Sequence, residues 1–442
     1  GRAANELILV IQTPPDRKAP QLLPTGVLGL GPPRAITSET TRLDGVVAGI
    51  DVLPTVFKWL SIPVPNHVKG QPIKLDGKRD AEGLHKLSER LGVVNSRRIP
   101  ALLLMMLVWA AVVLALGVLD IRRGTRAGLR IGALAILWVL PVLLVTAAIE
   151  PSRTAELGIL AGGTVLLGAL TDRLVAWPRG PLVPATVAVG FYVIDLVRGS
   201  PLIIRSLLGP NPRFGSRYWG IGNELEATLP ILLFIAIAAF LGSRARTNRR
   251  AGAFAGLGVL LGAAIGSGRL GADVGGVMTV GAGAAAATVA MLPGGVTRRA
   301  VLIAVLAPAA ALVALAGLDL ATGGNGHFTR SVLHANGSGA LWDTIVRRYE
   351  LAFGVFKRGL MPFVTVIATL TMVYGIRHRA RLFAPLHGAP AWEAALIAAI
   401  ASSVAGTLFN DSGPLLLAFG AFLLACATAY VRGDPQFGDS RR

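Results

Sequence analysis

Residues 99–119 read IPALLLMMLVWAAVVLALGVL, an apolar run without a single charged residue. A helix needs about 20 mostly apolar residues to cross the hydrocarbon core of a bilayer. Further apolar runs follow this one, so the sequence predicts a bundle of about eleven membrane-spanning helices. The predicted spans are 99–119, 130–149, 155–171, 181–197, 227–242, 251–267, 272–292, 300–319, 359–376, 391–409 and 413–431.

The composition also favours a membrane protein. Hydrophobic residues make up 53% of the chain and charged residues only 15%, whereas about a quarter of the residues in a typical soluble protein are charged. The net charge of +19 would suit a nucleic acid. However, the arginines lie mostly between apolar runs, and aromatic residues, which stack on bases, make up only 6%. We therefore expect a membrane lipid or lipid-linked molecule, and no nucleic acid, as the partner; the oligomeric state is not predicted.

The predicted spans divide the chain into three parts. Residues 1–98 are polar enough for a water-soluble segment, residues 99–431 form the transmembrane domain, and residues 432–442 form a short tail. The short connections after the odd-numbered helices are dense in arginine, and such connections usually face the cytoplasm. We therefore predict a multi-pass protein of the cell membrane with an extracytoplasmic N-terminal segment and a cytoplasmic C terminus.

The first long outer connection, residues 198–226, reads RGSPLIIRSLLGPNPRFGSRYWGIGNELE. Guanidinium groups bind phosphate through two parallel hydrogen bonds, and the Tyr-Trp pair suits the headgroup region. The loop therefore favours either a site for an anionic headgroup or polyprenyl phosphate, or an interfacial loop with aromatic anchors. In the first interpretation the arginines bind phosphate and the Asn-Glu pair orients the substrate. The candidate residues are Arg205, Arg213, Arg217, Asn223 and Glu224.

The second long outer connection, residues 320–358, carries His327, Arg330 and His334. Arg330 is a further candidate for phosphate contact. The two histidines could serve acid–base chemistry or bind a metal. Because no acidic ligand motif lies beside them, we expect a structural role and no metal in this chain.

Two aspartates lie at predicted helix ends on the outer side. Asp273 precedes the span 272–292, and Asp411 lies in the tight turn Asn-Asp-Ser-Gly between the last two spans. Ionisable residues near the membrane are candidates for function, although both could simply cap helices. The predicted topology brings Glu226, Asp273, His327, Arg330 and Asp411 to the same side, so we expect them to form one substrate-facing surface.

The N-terminal segment predicts strands at 6–12 and 26–30 and a helix capped by Asp51. Because a strand begins so close to Gly1, we expect the protein to extend upstream. The stretches TSETTR (37–42), GIDVLPTV (49–56) and LSIP (60–63) resemble the end of the alkaline phosphatase/sulfatase superfamily domain. That domain closes with an Asp-x-x-Pro-Thr helix and a Leu-Gly-Ile-Pro-like turn. The expected fold class is therefore mainly α, a polytopic bundle preceded by a small α/β remnant.

The resemblance implies phosphoryl or phospho-headgroup transfer, or phosphodiester hydrolysis, on a lipid-linked anionic substrate. Members of the superfamily use two metal ions, usually zinc, held by Asp and His, with a Ser, Thr or Cys nucleophile. Residues 1–66 contain no histidine, so the chain cannot form that site and would be inactive by itself. We expect a zinc-type cofactor only if an upstream domain is present.

Two other functions remain open at the sequence level. A transporter or lipid flippase would explain why the chain has far more spans than anchoring requires, and Gly-rich helices such as 251–267 could move. A polyprenyl-phosphate-dependent glycosyltransferase or ligase would suit the long outer loop with its two histidines.

Overall fold

The structure of the protein is a computed structural model. It describes residues 6–12, 21–65, 68–294 apart from 122 and 216, and 359–435 apart from 387 and 411, with scattered positions between 297 and 354. These residues are mostly helical, as predicted, and form a few short strands near the N terminus.

The N-terminal segment holds two small antiparallel sheets and a short helix. Strands β1 (Ile8–Ile11) and β2 (Thr25–Leu28) form the first sheet. Strands β3 (Ile36–Thr37) and β4 (Lys74–Leu75) form the second, and helix α1 (Val52–Trp59) lies between them in sequence. The predicted strands and helix are thus present, whereas the relation of this segment to a larger α/β domain remains a prediction.

Asp51 does not cap α1 as predicted. Its carboxylate accepts no hydrogen bond from the first turn of that helix. It accepts instead from the hydroxyls of Ser38 and Thr40, at 2.6 and 2.5 Å. The N–H groups of Ala48 and Gln71 also donate to it, each at 2.9 Å. The fully buried carboxylate therefore holds three stretches of the segment together, because a buried charge must be satisfied by several donors.

The rest of the described chain is a helical bundle. Helices α4 and α5 are joined by a π-helical turn, Ile159–Gly163, into one continuous unit. The helices are α2 (Ala81–Leu119), α3 (Arg123–Ile149), α4 (Arg153–Gly158), α5 (Thr164–Leu174), α6 (Leu182–Val197), α7 (Asn223–Leu241), α8 (Asn248–Gly266), α9 (Val274–Met291), α10 (Met361–Arg377), α11 (Arg379–Leu382), α12 (Pro390–Phe409) and α13 (Gly413–Arg432).

Seven helices among the described residues are long and apolar enough to cross a membrane. They make the chain a multi-pass membrane protein, and they are α2, α3, the α4–α5 unit, α7, α9, α12 and α13. Helices also occur at the predicted spans 181–197, 251–267 and 359–376, but they are shorter or less apolar than these seven. The predicted span 300–319 lies largely outside the described residues. A total of about eleven spans therefore remains a prediction.

Helix α2 continues through the predicted domain boundary between residues 98 and 99. It begins at Ala81, where the Asp80 carboxylate accepts a hydrogen bond from the N–H of Gly83 at 2.8 Å. The first half of α2 packs against the N-terminal segment through an apolar cluster that includes Val46, Leu87 and Leu91. The segment and the transmembrane domain thus share one helix.

The bundle is packed most closely around α7 and α9. Nearly every residue of α7 is buried, and α9 lies against α8 on one side and α12 on the other. A Cβ atom on Gly258 of α8 would overlap the side chain of Ala284 on α9. Gly258 therefore allows α8 and α9 to approach closely.

The polar ends of the bundle separate into two faces. On the face that carries the N-terminal segment, Trp219 Nε1 donates to the Thr40 carbonyl at 3.3 Å. We call this the outer face. On the opposite face Arg130 binds Asp172 at 2.7 Å and Arg246 binds Glu393 at 2.9 Å. The connections thus alternate as the sequence predicted, while the compartment that each face meets remains a prediction.

Candidate functional site

The loop before α7 brings Arg217 to the start of α9. Ile221 N donates to the Gly271 carbonyl at 3.2 Å. Gly220 has a φ of +78°, and a Cβ atom there would overlap that same carbonyl oxygen. Only glycine permits this contact, because it has no side chain and adopts positive φ freely. The loop can therefore lie directly against the residues that precede α9.

Arg217 forms an ion pair with Asp273 at this point. Its Nη1 lies 3.0 Å from Asp273 Oδ2 and also donates to the Ile221 carbonyl. Asp273 Oδ1 accepts from the N–H of Gly276 at 3.2 Å, so the same residue caps α9. Both interpretations of Asp273, helix cap and charged site residue, are consistent with these contacts.

Glu226 lies beside this ion pair, in the first turn of α7, and is fully buried. Its Oε1 accepts from the Thr279 hydroxyl of α9 at 2.7 Å. Its Oε2 accepts from Asn410 Nδ2, at the end of α12, at 2.5 Å. The Asp273 carboxylate lies close by, because a Cβ atom on Gly275 would be 3.3 Å from Glu226 Oε1 and 3.4 Å from Asp273 Oδ1. Three helices thus contribute to the surroundings of one carboxylate.

Two asparagines extend the network toward the last turn of the bundle. Asn410 Nδ2 lies 3.2 Å from Asn223 Oδ1, and Asn223 Nδ2 donates to Ser412 Oγ at 2.7 Å. Asn410 Oδ1 in turn accepts from the Ser412 N–H at 2.7 Å. We call the complete set the outer polar cluster; it consists of Arg217, Asn223, Glu226, Asp273, Thr279, Asn410 and Ser412.

The outer polar cluster contains four residues that were predicted from the sequence, namely the candidate site residues Arg217, Asn223 and Asp273, and Glu226 of the expected substrate-facing surface. The sequence did not single out Thr279, which looks like an ordinary small residue within an apolar run. Asn410 and Ser412 flank the predicted Asp411 in the Asn-Asp-Ser-Gly turn, so two other residues of this turn belong to the cluster. Asp411 itself lies outside the described residues.

Other predicted residues have different partners. Glu224 binds Arg98 of α2 at 3.1 Å, and Arg205 binds Glu150 at 3.0 Å. The guanidinium of Arg213 lies against α2, 3.1 Å from where a Cβ atom on Gly92 would be. The described contacts therefore do not bring Arg205, Arg213 and Glu224 into the outer polar cluster. His327 and Arg330 lie outside the described residues, as does His334.

A second buried charged cluster was not predicted. Arg90 of α2 binds both carboxylate oxygens of Glu156 in α4, at 2.6 and 3.1 Å, and Arg97 Nη1 lies 2.8 Å from the same carboxylate. Arg90 Nε also donates to the Arg205 carbonyl at 2.9 Å. We call Arg90, Arg97 and Glu156 the Glu156 cluster. The sequence did contain a signal for this cluster. Glu156 is an acidic residue within the predicted span 155–171, and an acidic residue in a membrane helix needs a partner of opposite charge.

Two more arginines lie on the outer face near the loop of Arg217. The guanidinium carbon of Arg42 is 3.9 Å from the centre of the Trp219 ring, and Arg42 Nη1 donates to the Arg269 carbonyl at 3.2 Å. Desolvation lowers the pKa of Arg42; the Glu39 carboxylate opposes this effect and the positive charge of Arg269 adds to it. Positive charge is therefore concentrated around Trp219.

Within the described residues no three His, Cys, Asp or Glu side chains come close enough to hold a metal ion. Comparison with protein-family models, curated proteins and solved structures finds no match to this chain. The likeness to the alkaline phosphatase superfamily therefore remains an expectation from the quoted motifs.

Proposed function

We propose that this multi-pass membrane protein binds a lipid-linked anionic substrate at its outer face. In this proposal it is the membrane-embedded part of an alkaline-phosphatase-like protein that transfers or hydrolyses a phospho-headgroup. In this proposal the chain supplies the surface that binds the substrate. No catalytic step is assigned to the described residues, which bring no three His, Cys, Asp or Glu side chains together.

The proposal depends on the donors of Arg217. A guanidinium has five N–H donors, and both described side-chain bonds of Arg217 use Nη1. Its Nε and Nη2 donate to no described residue, and one third of the side chain is exposed. Nε and Nη2 form the edge that binds two phosphate oxygens at once. Asp273 thus fixes the guanidinium while this edge stays available.

The surroundings of Arg217 support an anionic headgroup. Arg42 and Arg269 add positive charge on the same face, and Trp219 has the amphipathic ring that favours the membrane–water interface. Charge-assisted hydrogen bonds to phosphate are stronger than neutral ones. The arginines therefore match the negative charge of a phosphate monoester or diester on a lipid carrier, and Trp219 lies at the depth of such a headgroup.

The test is a binding measurement with Arg217→Ala in vesicles, with a short-chain polyprenyl phosphate as the probe. We expect affinity to fall roughly 10- to 100-fold, because a hydrogen bond to a charged group contributes about 1.5–3 kcal/mol. Arg246→Ala is the matched control, since it removes an exposed arginine from the opposite face. Equal affinity of the two variants would remove Arg217 from the site and leave the proposal without support.

A transporter remains the second candidate because Glu226 is fully buried in a membrane helix. Ionisable side chains within membrane helices often mark transport pathways. Flux of the same polyprenyl phosphate across liposomes that contain the purified protein would favour this function. Binding without flux would favour presentation to an outer domain.

A further inference from the structure

The outer polar cluster has an uneven charge count. Glu226 and Asp273 are two carboxylates, and Arg217 is the one cation among their described contacts. The other groups that face Glu226 are neutral, namely Thr279 from α9 and Asn410 from α12. Glu226 is fully buried and Asp273 is only 3% exposed. Two ionised carboxylates would leave an uncompensated negative charge there, which is costly in a buried site.

The hydrogen bonds around Glu226 can serve either protonation state. The Thr279 hydroxyl has one hydrogen but two acceptors in reach, Glu226 Oε1 at 2.7 Å and the Gly275 carbonyl at 3.1 Å. When Glu226 is ionised, Thr279 donates to it. When Glu226 carries a proton on Oε1, Thr279 can donate to Gly275 and accept from Glu226. Neither state requires the helices to move.

An unpartnered hydroxyl lies next along the same helix interface. Ser402 of α12 is fully buried, and its Oγ donates to no described residue. This Oγ lies where a Cβ atom on Gly283 of α9 would be, one helical turn from Thr279. Hydroxyls both donate and accept hydrogen bonds. The Ser402 hydroxyl therefore follows Asn410, Glu226 and Thr279 as the next polar group along this interface, and it can both donate and accept a proton.

We propose that Glu226 and Asp273 hold one exchangeable proton between them, and that anion binding at Arg217 is linked to uptake of this proton. With both carboxylates ionised, the three charged groups carry a net negative charge that opposes an anion. With one proton bound the net charge is zero, and Arg217 can interact fully with the anion. The linkage rests on the proposed function, whereas the proton site does not.

The proton site is tested without any ligand. Infrared spectra of the protein in vesicles, recorded across a pH titration, should show the carbonyl stretch of a protonated carboxylic acid that shifts in heavy water. We expect this band to be lost in Glu226→Gln and retained in Glu393→Gln, which changes an exposed carboxylate on the opposite face. If no such band appears in the unmodified protein at any pH, the proton site is wrong, whether or not the variants fold.

The linkage is tested by the affinity for short-chain polyprenyl phosphate as a function of pH. One linked proton weakens binding by about tenfold per pH unit above the titration of the pair. Glu226→Gln resembles the protonated state, so its affinity should stay high and lose that slope, while Glu393→Gln should keep it. An infrared band without measurable binding at any pH would overturn the proposed function but not the proton site. A band together with the same pH slope in both variants would overturn the linkage.

Discussion

The two buried charged clusters of the outer face are built from the same residue types but are balanced in opposite ways. The Glu156 cluster has two guanidinium groups around one carboxylate, and the outer polar cluster has two carboxylates around one guanidinium. In the first, Arg90 is 3% exposed, and its Nε, Nη1 and Nη2 all donate to described acceptors. In the second, Arg217 is one third exposed and has described bonds through Nη1 alone.

This difference separates a cluster that fixes the structure from one that can bind. Arg90 donates through all three of its nitrogens to a carbonyl and a carboxylate and has nothing left for a ligand, so it connects α2, α4 and the outer loop. Arg97 has described bonds through Nη1 alone, as Arg217 does, but it is only 15% exposed. Arg217 is more exposed and its Nε and Nη2 donate to no described residue, so the outer polar cluster offers a ligand these donors beside a surplus carboxylate. Changes to the first cluster should therefore act mainly on stability, and changes to the second mainly on ligand affinity and its pH dependence.

Glu156→Ala should have the largest effect on stability. It leaves the buried guanidinium of Arg90 and the partly buried one of Arg97 without their carboxylate, and breaking a buried ion pair costs about 3–5 kcal/mol. Unfolding of the purified protein in detergent would measure the loss. Glu393→Ala is the control, because removing an exposed ion pair should cost less than about 1 kcal/mol. If both variants unfold alike, the Glu156 cluster does not stabilise the fold and the contrast between the clusters fails.

Gly283→Ala should have an intermediate effect, because it forces apart the helices that hold the outer polar cluster. The added Cβ would overlap Ser402 Oγ and lie 2.5 Å from a ring carbon of Phe234. Overpacking of a well-packed core costs about 1–3 kcal/mol. Unlike Glu156→Ala, this variant should also weaken anion binding per folded molecule. Gly252→Ala on α8 is the matched control, since its Cβ would meet nothing within 4 Å. If the two variants lose the same stability and the same anion affinity, close packing of α9 against α12 is not required by the cluster.

Arg42→Ala should have the smallest effect, since it removes only the contact with the Trp219 ring and one hydrogen bond to the Arg269 carbonyl. A cation–π contact of this exposure contributes about 0.5–1 kcal/mol. Hydrogen exchange of residues 35–65 should become modestly faster. Arg34→Ala, another exposed arginine of the segment, should leave exchange unchanged. Identical exchange in the two variants would mean that the segment is held by its apolar contact with α2 alone.

Much of the fold could be predicted from local hydropathy. Because polar residues are costly in lipid, each spanning helix is a run of apolar residues that can be recognised without knowledge of its neighbours. The run 99–119 is a clear example. The start of α2 at Ala81 was missed because residues 81–98 are polar and their helix is stabilised by tertiary contacts such as that of Arg90 with Glu156. Local hydropathy carries no information on such contacts.

The site was only partly predictable for the same reason. Arg217, Asn223 and Asp273 could be selected because they are polar and adjoin helix ends. Their partner Thr279 lies within an apolar run, and its role depends on how α7 and α9 pair in space. The sequence also contained no indication that Arg205 pairs with Glu150, a residue that follows the end of a different helix.

Helix α2 passes without a break from the N-terminal segment into the bundle. Its 39 residues span about 58 Å at 1.5 Å per residue, and Arg98 near its middle is bonded to Glu224 of α7. Pro100 lies beside this ion pair, and a proline inside a helix removes a backbone hydrogen bond and marks the position where the helix bends most readily. A tilt of the N-terminal segment is therefore absorbed at Pro100, while the ion pair of Arg98 with Glu224 fixes that point of α2 to the bundle.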